Sequence, residues 1–312
     1  MSLDFLRKPN SRKKGLKMLV YGQTGAGKTS FALSFPRIVL VDSEDGASWY
    51  ESTAKNLVGI LDTQSYDDLE DALDQLEENT DELDTFVVDS ETKIYENIQE
   101  ALQSVEETRA ARKGRDVLDA NLSVRSWGKI KQLASRLQNA KIRLASQGVN
   151  VVSIAQSVDV MEDAGNGARV KVGEKPNMAK NAAYDYDVVL RLFIEDGKYY
   201  GQVEKDRTKT VPLGKTIENP SFDIWKARLG AKDNQGSSVA KDFSKDTEKS
   251  QQAYTEEVEG TLPFADRFKE YLQCLDAAGK KQFVVDMVEA TGTKKVNDMN
   301  KEQQAKVLAL MK

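Results

Sequence analysis

Gly22-Gln23-Thr24-Gly25-Ala26-Gly27-Lys28-Thr29 is the stretch that decides the fold, because it fits the pattern G-x-x-x-x-G-K-[ST] at every fixed position. Glycines let the backbone curl until its N–H groups point at phosphate oxygens. Lys28 adds positive charge to the terminal phosphates, and Thr29 offers a hydroxyl to Mg²⁺. With Ser30, which follows, this stretch predicts a site for a nucleoside triphosphate, ATP with Mg²⁺.

The flanking sequence supplies the strand and the helix that such a loop needs. Residues 18–21 predict a short buried strand, and residues 28–35 predict a helix that Pro36 ends. Further strands are predicted at 38–41, 85–88 and 151–155, separated by helices near 66–77, 91–111 and 126–146. This alternation predicts an α/β fold with a mainly parallel sheet covered by helices.

The second half of this region is less regular. We interpret residues 157–176 as an irregular segment, and residues 188–194 and 199–204 as a β-hairpin around Glu195-Asp196-Gly197-Lys198. The predicted class is therefore a mainly parallel sheet that ends in a C-terminal β-hairpin.

Polar residues at the ends of these strands are the candidates for chemistry. Asp89 ends the third predicted strand, at the sheet edge where open α/β folds bind ligands, and is expected to hold Mg²⁺. Glu44 can polarise a water for attack on the γ-phosphate, and Gln156 can touch that phosphate and report hydrolysis. Lys205 and Arg207 could reach the phosphates of a neighbouring subunit. Alternative structural interpretations are a surface loop acid for Glu44, a backbone cap for Gln156, and solvated hairpin charges for Lys205 and Arg207.

Composition excludes several kinds of site. The chain has no histidine and one cysteine, Cys274, so His-based triads, the common zinc sites and internal disulfides are excluded. No run of 18 apolar residues predicts a membrane span, and we expect a cytoplasmic protein. The pattern [NT]-K-x-D, typical of guanine-specific Ras-type proteins, does not occur, which favours ATP.

A basic stretch is a candidate surface for a polyanion, which the family resemblance described below implies to be single-stranded DNA. A solvated helix face is the alternative interpretation, and Trp127 inside the stretch is expected to pack in the core. The candidate DNA-binding residues here are Arg109, Arg112, Lys113, Arg115, Arg125, Lys129 and Lys131.

Composition also divides the chain. Residues 1–15 form a basic arm, residues 16–229 the predicted ATPase core, and residues 230–262 a predicted disordered linker without periodic apolar residues. Residues 263–312 predict a small helical bundle, in which Asn300 and Gln303 form a capping box. This bundle could dock a protein partner.

The order of these motifs resembles the RecA-like ATPase core over roughly Gly15 to Gly230. The glutamate strand Val41 to Glu44, the metal strand Val87 to Ser90 and the glutamine strand Ser153 to Gln156 carry the resemblance. The sequences 27–36, 41–44 and 204–207 are most similar to bacteriophage AAA-type nucleotide-binding proteins, the RecA-like single-strand annealing proteins of the Sak group.

That resemblance implies single-stranded DNA binding, ATP-dependent annealing, assembly into a ring or filament, and a role in phage recombination or replication in the host cytoplasm. It also implies that residues 157–184 are a DNA-contacting loop, whose candidate cations are Arg169, Lys171 and Lys175. That loop is nearly neutral and has no aromatic residue before Tyr184.

Three functions stay open from the sequence. The first is an annealing ATPase with slow, DNA-stimulated turnover. The second is a ring-forming motor or helicase-loader type of ATPase with a protein partner. The third is an interaction protein that binds ATP without hydrolysing it.

Overall fold

The computed structural model describes residues 14–165, 167–230, 264–296 and 299–311. These residues belong to two compact units, which meet in the sequence between residues 241 and 242. The predicted basic arm and linker lie almost wholly outside the described residues, so these domain assignments stay predictions.

Nine strands run through the described part of the first unit. Their order in the sheet is β3-β2-β4-β5-β1-β7-β8-β9, and β6 pairs with β5 alone. The six strands from β3 to β7 in this order are parallel, whereas β8 and β9 are antiparallel additions. The strands are β1 (Lys17–Gly22), β2 (Ile38–Asp42), β3 (Leu57–Asp62), β4 (Thr85–Asp89), β5 (Asn150–Asp163), β6 (Arg169–Pro176), β7 (Val188–Glu195), β8 (Lys198–Asp206) and β9 (Thr216–Glu218).

This topology confirms the predicted α/β class, with a mainly parallel sheet and a C-terminal hairpin, β7–β8. The helices of this unit are α1 (Lys28–Ala32), α2 (Tyr66–Glu78), α3 (Glu91–Arg112), α4 (Val124–Ser146) and α5 (Asp223–Leu229), with short 3-10 helices at Ala47–Trp49 and Ala182–Asp185. The α1 helix is shorter than predicted because the chain tightens after it. The backbone N–H groups of Ser34 and Phe35 donate hydrogen bonds to the carbonyl oxygens of Phe31 and Ala32, three residues earlier.

The sheet is covered by helices on both faces. On one face Met18 and Val20 of β1 pack with Phe31 of α1 and Trp225 of α5 in a single buried cluster. On the other face, side chains from β2, β4 and β5 pack with α2, α3 and α4. Alternate residues of a strand point to opposite faces, so the apolar runs of these strands are explained by burial on both sides. No helix among the described residues is both long and apolar enough to span a membrane.

The prediction of an irregular segment at 157–176 is wrong. Strand β5 continues to Asp163 and pairs antiparallel with β6, which makes a two-stranded ribbon. Val158 and Val160 alternate with polar residues, as do Val170 and Val172, and this period of two is typical of a strand. Gly165 and Gly167, with φ values of 88° and 76°, form the tip of the ribbon. Strands β3 and β9 and helix α5 were also not predicted.

Within residues 264–296 and 299–311 the second unit has three helices: α6 (Phe264–Cys274), α7 (Ala277–Thr291) and α8 (Lys301–Leu310). Phe283, Met287, Met299 and Val307 form its buried core. The predicted capping box is confirmed. The backbone N–H of Gln303 donates to Asn300 Oδ1 at 2.9 Å, and the backbone N–H of Asn300 donates to Gln303 Oε1 at 3.0 Å.

The helix α5, absent from the prediction, carries a large share of one core. Trp225 is fully buried, lies edge-on to Phe31, and donates from Nε1 to Asp206 Oδ2 at 3.1 Å. Trp225→Ala should therefore lower the free energy of unfolding by about 3–5 kcal/mol, measured by urea denaturation. Trp49→Ala is the matched control, since Trp49 is 84% exposed and its loss should cost less than about 0.5 kcal/mol. Similar values for both variants would contradict this packing.

Candidate nucleotide-binding site

The loop between β1 and α1 adopts the curled backbone that the sequence predicts. Gly25 and Gly27 have φ values of 75° and 83°, in the left-handed region that disfavours side chains. Gly22 is required for a different reason, since a Cβ there would lie 2.2 Å from the backbone oxygen of Leu192 in β7. The loop therefore fits closely against the neighbouring strand.

Lys28 turns back over this loop. Its Nζ donates to the backbone oxygens of Gly22 at 3.1 Å and Gln23 at 2.8 Å. Burial lowers the pKa of Lys28, while the carboxylates of Asp89 and Glu44 oppose that shift. The ammonium is thus held at the mouth of the loop, where it can meet a phosphate.

Thr29 and Asp89 come together across the sheet edge. Thr29 Oγ1 donates to Asp89 Oδ2 at 2.6 Å. A hydroxyl and a carboxylate are the hard oxygen donors that Mg²⁺ prefers, usually completed by waters and substrate phosphates. The two side chains would hold a magnesium ion, which would supply positive charge for a phosphate bound in the loop.

The charge at this position supports the same assignment. Burial, helped by the nearby carboxylates of Glu44 and Asp42, raises the pKa of Asp89 to about 6, although the Thr29 hydrogen bond lowers it. A buried carboxylate among other acids is costly to ionise. A divalent cation at this point would offset that cost.

Glu44 and Gln156 also meet at this edge. Glu44 Oε1 accepts hydrogen bonds from Ser90 Oγ at 2.6 Å and from Gln156 Nε2 at 2.8 Å. Strand register explains the meeting: Asp42 pairs with Asp89, and Gly22 pairs with Gln156. Asp89 pairs in turn with Ile154, so Gln156 and Gly22 lie two residues beyond Asp42 and Asp89 at the same edge of the sheet.

The sequence did not identify two hydroxyl residues of this network. Ser90 orients Glu44, and Thr92 Oγ1 accepts the backbone N–H of Gln156 at 2.9 Å while donating to the Asn177 oxygen at 2.7 Å. The available signal was their position directly after Asp89, at the start of a helix.

A cleft of about 270 Å³ opens beside the loop, between α1 and β8. The ring of Tyr199 covers Gly27, where a Cβ would lie 3.0 Å from the ring. The lining residues include Ser30, Phe31, Leu192, Tyr199, Asn219 and Pro220. Mixed aromatic and amide groups of this kind suit a nucleobase. Of these residues, the sequence singled out only Ser30.

The structure does not bring Lys205 and Arg207 to this loop. They lie at the far end of β8, opposite Val189 and beyond, whereas Gly22 pairs with Leu192 at the other edge. Lys205 Nζ donates to the oxygens of Ala183 and Tyr184 at 2.9 and 3.0 Å, and Arg207 donates to the Tyr184 oxygen at 2.9 Å. Within one chain these cations hold the turn before β7.

The predicted basic surface lies where α3 ends and α4 begins. Its cations, Arg109, Arg112, Lys113, Arg115, Arg125, Lys129 and Lys131, are all exposed. The expectation that Trp127 packs in the core is wrong, because Trp127 is 48% exposed. At 1.5 Å rise per residue, Arg109 lies about 27 Å along α3 from Glu91. This surface is therefore separate from the phosphate loop.

The cations of the β5–β6 ribbon are in a different situation. Lys171 Nζ contacts carboxylate oxygens of Asp159 and Glu174, both at 2.7 Å. Arg169 and Lys175 are exposed. Because Lys171 is paired with two acids, the ribbon offers little net positive charge.

Comparisons with known proteins give one family match and several structural likenesses. Residues 14–216 match a family model described as AAA domain. Among solved structures, the RadB recombinase is similar with 18% identity, a TM-score of 0.40, and coverage of 66% of this chain and 87% of that chain. A KaiC-like protein, PH0186 of the hyperthermophilic archaeon Pyrococcus horikoshii OT3, has 16% identity, a TM-score of 0.38, and coverage of 66% and 85%. The comparison with curated proteins finds no match.

The contact between Thr29 and Asp89 can be tested through the metal. Thr29→Val keeps the shape of the side chain and removes the hydroxyl. We expect the gain in affinity for a fluorescent ATP analogue on adding Mg²⁺ to be about tenfold smaller in this variant than in the parent, which corresponds to ~1.4 kcal/mol. Thr29→Ser retains the hydroxyl and is the matched control, expected to behave like the parent. Equal magnesium dependence in the valine and serine variants would argue against Thr29 as a ligand.

Proposed function

Because the chain belongs to a family of AAA domains, we propose that it binds ATP in the loop from Gly22 to Thr29 and hydrolyses it with Mg²⁺. The observation that carries this proposal is the contact between Thr29 Oγ1 and Asp89 Oδ2. It joins a motif residue to a carboxylate 60 residues away, as a shared magnesium site requires.

The residues divide the work of binding. Backbone N–H groups of the loop and the Lys28 ammonium hold the phosphates. Thr29 and Asp89 hold Mg²⁺, which when bound neutralises charge on the β- and γ-phosphates. The cleft beside Tyr199 takes the nucleobase, with the aromatic ring as a stacking surface and the exposed Asn219 amide as a polar contact.

Glu44 is the proposed general base. Its Oε1 is occupied by hydrogen bonds from Ser90 and Gln156, so the carboxylate has a fixed orientation. The carboxylate can accept a proton from a water that attacks the γ-phosphate. Gln156 touches Glu44 and lies at the root of the β5–β6 ribbon, so a change at the γ-phosphate reaches the ribbon through this amide.

Single-stranded DNA is the proposed polymer partner. The exposed cations around the α3–α4 connection and the half-exposed Trp127 combine charge for phosphates with a surface for base stacking. With this partner, ATP turnover is slow and stimulated by DNA, and the activity is strand annealing in phage recombination or replication. This role follows the resemblance to the Sak group, and it places the protein in the host cytoplasm.

The proposed active form is a homo-oligomer, a ring or a filament. Lys205 and Arg207 lie at the sheet edge opposite their own phosphate loop. In a head-to-tail assembly that edge faces the phosphate loop of the next subunit, where their charges stabilise the transition state. The helical unit formed by residues 264–311 is proposed to dock a protein partner.

Glu44→Gln separates hydrolysis from binding. This variant should lower kcat for ATP by about 10²-fold or more, because a general base is lost, while the Kd for MgATP stays within about twofold. Lys28→Ala is the binding control and should lose affinity for the nucleotide itself. Phosphate release and analogue titration measure the two effects. An unchanged kcat in Glu44→Gln would exclude Glu44 as the general base, and no turnover in the parent would favour the interaction protein that binds ATP without hydrolysing it.

Charge reversal tests the DNA surface. The triple variant Arg112→Glu, Lys113→Glu, Arg115→Glu should weaken single-stranded DNA binding. Each lost phosphate contact should make the slope of log K against log salt shallower by ~0.7, so the loss of these contacts should change the slope by about 2. Fluorescence anisotropy at several salt concentrations gives this slope. The matched control reverses three exposed lysines elsewhere in the first unit, Lys55, Lys215 and Lys226. A parental slope in the test variant, or the same loss in the control, would count against this surface.

A further inference from the structure

Residues 89–92, the turn from β4 into α3, connect the parts of the nucleotide site. The Asp89 carboxylate accepts a hydrogen bond from the Thr29 hydroxyl at 2.6 Å, and the Ser90 hydroxyl donates one to Glu44 at 2.6 Å. The Thr92 hydroxyl accepts one from the backbone N–H of Gln156 at 2.9 Å. Asp89 therefore contacts α1, Ser90 contacts the residues that follow β2, and Thr92 contacts β5. The geometry of the site depends on where this turn is held.

The fourth side chain, Glu91, is directed into the protein. Its carboxylate is 7% exposed and forms an ion pair with Lys141 of α4, whose side chain is 2% exposed. Ser153 Oγ of β5 donates to Glu91 Oε1 at 2.7 Å. The first residue of α3 is thus attached both to α4 and to the strand that ends in Gln156.

Both members of the pair are buried. Burial lowers the pKa of Lys141, but Glu91 and Tyr186 together outweigh burial and leave that pKa raised. A buried ion pair is not a strong source of stability, because desolvation costs about as much as the attraction returns. Apolar residues would fill the same space, so stability by itself does not explain the pair.

We propose that Lys141 is a positioning residue for ATP hydrolysis: it fixes Glu91 and thereby the turn that carries Asp89, Ser90 and Thr92. This inference rests on the proposed function. Lys141 touches neither nucleotide nor metal in this arrangement. It acts through the backbone of residues 89–92 and sets the distance from Asp89 to the phosphate loop and from Ser90 to Glu44.

The chain offers a matched control on the same helix. Arg143, two residues beyond Lys141, forms an ion pair with Glu77 of α2 at 2.9 Å, with both side chains less than one-fifth exposed. That pair joins two helices and does not contact the turn. Arg143→Met therefore removes a comparable ion pair without touching the site.

The first measurement needs no nucleotide. Amide hydrogen exchange of peptides covering residues 89–92 should rise at least tenfold in Lys141→Met and stay at the parental rate in Arg143→Met. If exchange in Lys141→Met rises no more than in the control, the turn is not held by Lys141 and the proposal fails. This measurement stands even if the parent shows no ATP turnover, an outcome that would overturn the proposed function.

The second measurement is steady-state turnover of MgATP. We expect Lys141→Met to lower kcat at least tenfold with KM changed less than threefold, and Arg143→Met to leave both unchanged. Because a lone buried carboxylate can unfold the chain, the double variant Glu91→Leu, Lys141→Met removes both charges. It should recover the parental Tm and keep the low kcat. Recovery of kcat together with Tm would show a structural ion pair only and overturn the positioning role.

Discussion

Parallel pairing of β2, β4, β5 and β1 in a fixed register is the constraint on which the site depends. Asp42 lies beside Asp89, and Gly22 lies beside Gln156, so residues far apart in the chain end at one edge of the sheet. Parallel strands require a crossover between each pair, and these crossovers bury both faces of the sheet. The apolar runs of the strands serve the fold, and the polar residues that end them form the site.

At that edge the molecule accumulates negative charge. Asp42, Glu44 and Asp89 lie close enough that burial and mutual repulsion raise the pKa of Asp89 to about 6. The Lys28 ammonium, the Thr29 hydroxyl and the Ser90 hydroxyl partly compensate this charge. An arrangement of this kind is costly for an empty protein and favourable around a magnesium–phosphate complex, which is the physical link between fold and proposed function.

Prediction from sequence was most accurate where the local pattern left one interpretation. The phosphate-loop motif, five of the six strands of the parallel sheet (all but β3) and the capping box at Asn300 each have a short-range signal, and the structure contains each of them. The ribbon at 157–176 was predicted to be irregular, although Val158, Val160, Val170 and Val172 alternate as strand residues do. Trp127 was assigned to the core by its type, whereas its place on the outer side of α4 exposes it.

The sequence by itself determined the loop from Gly22 to Thr29, the α/β class and the candidate residues at strand ends, since these follow from spacing and from the period of apolar residues. Tertiary structure alone decided which of them meet. It joined Thr29 to Asp89 and Glu44 to Gln156, placed Lys205 and Arg207 at the opposite edge, and buried Lys141 against Glu91. Strand order and register are set by packing over the whole sheet, so no local pattern encodes these contacts.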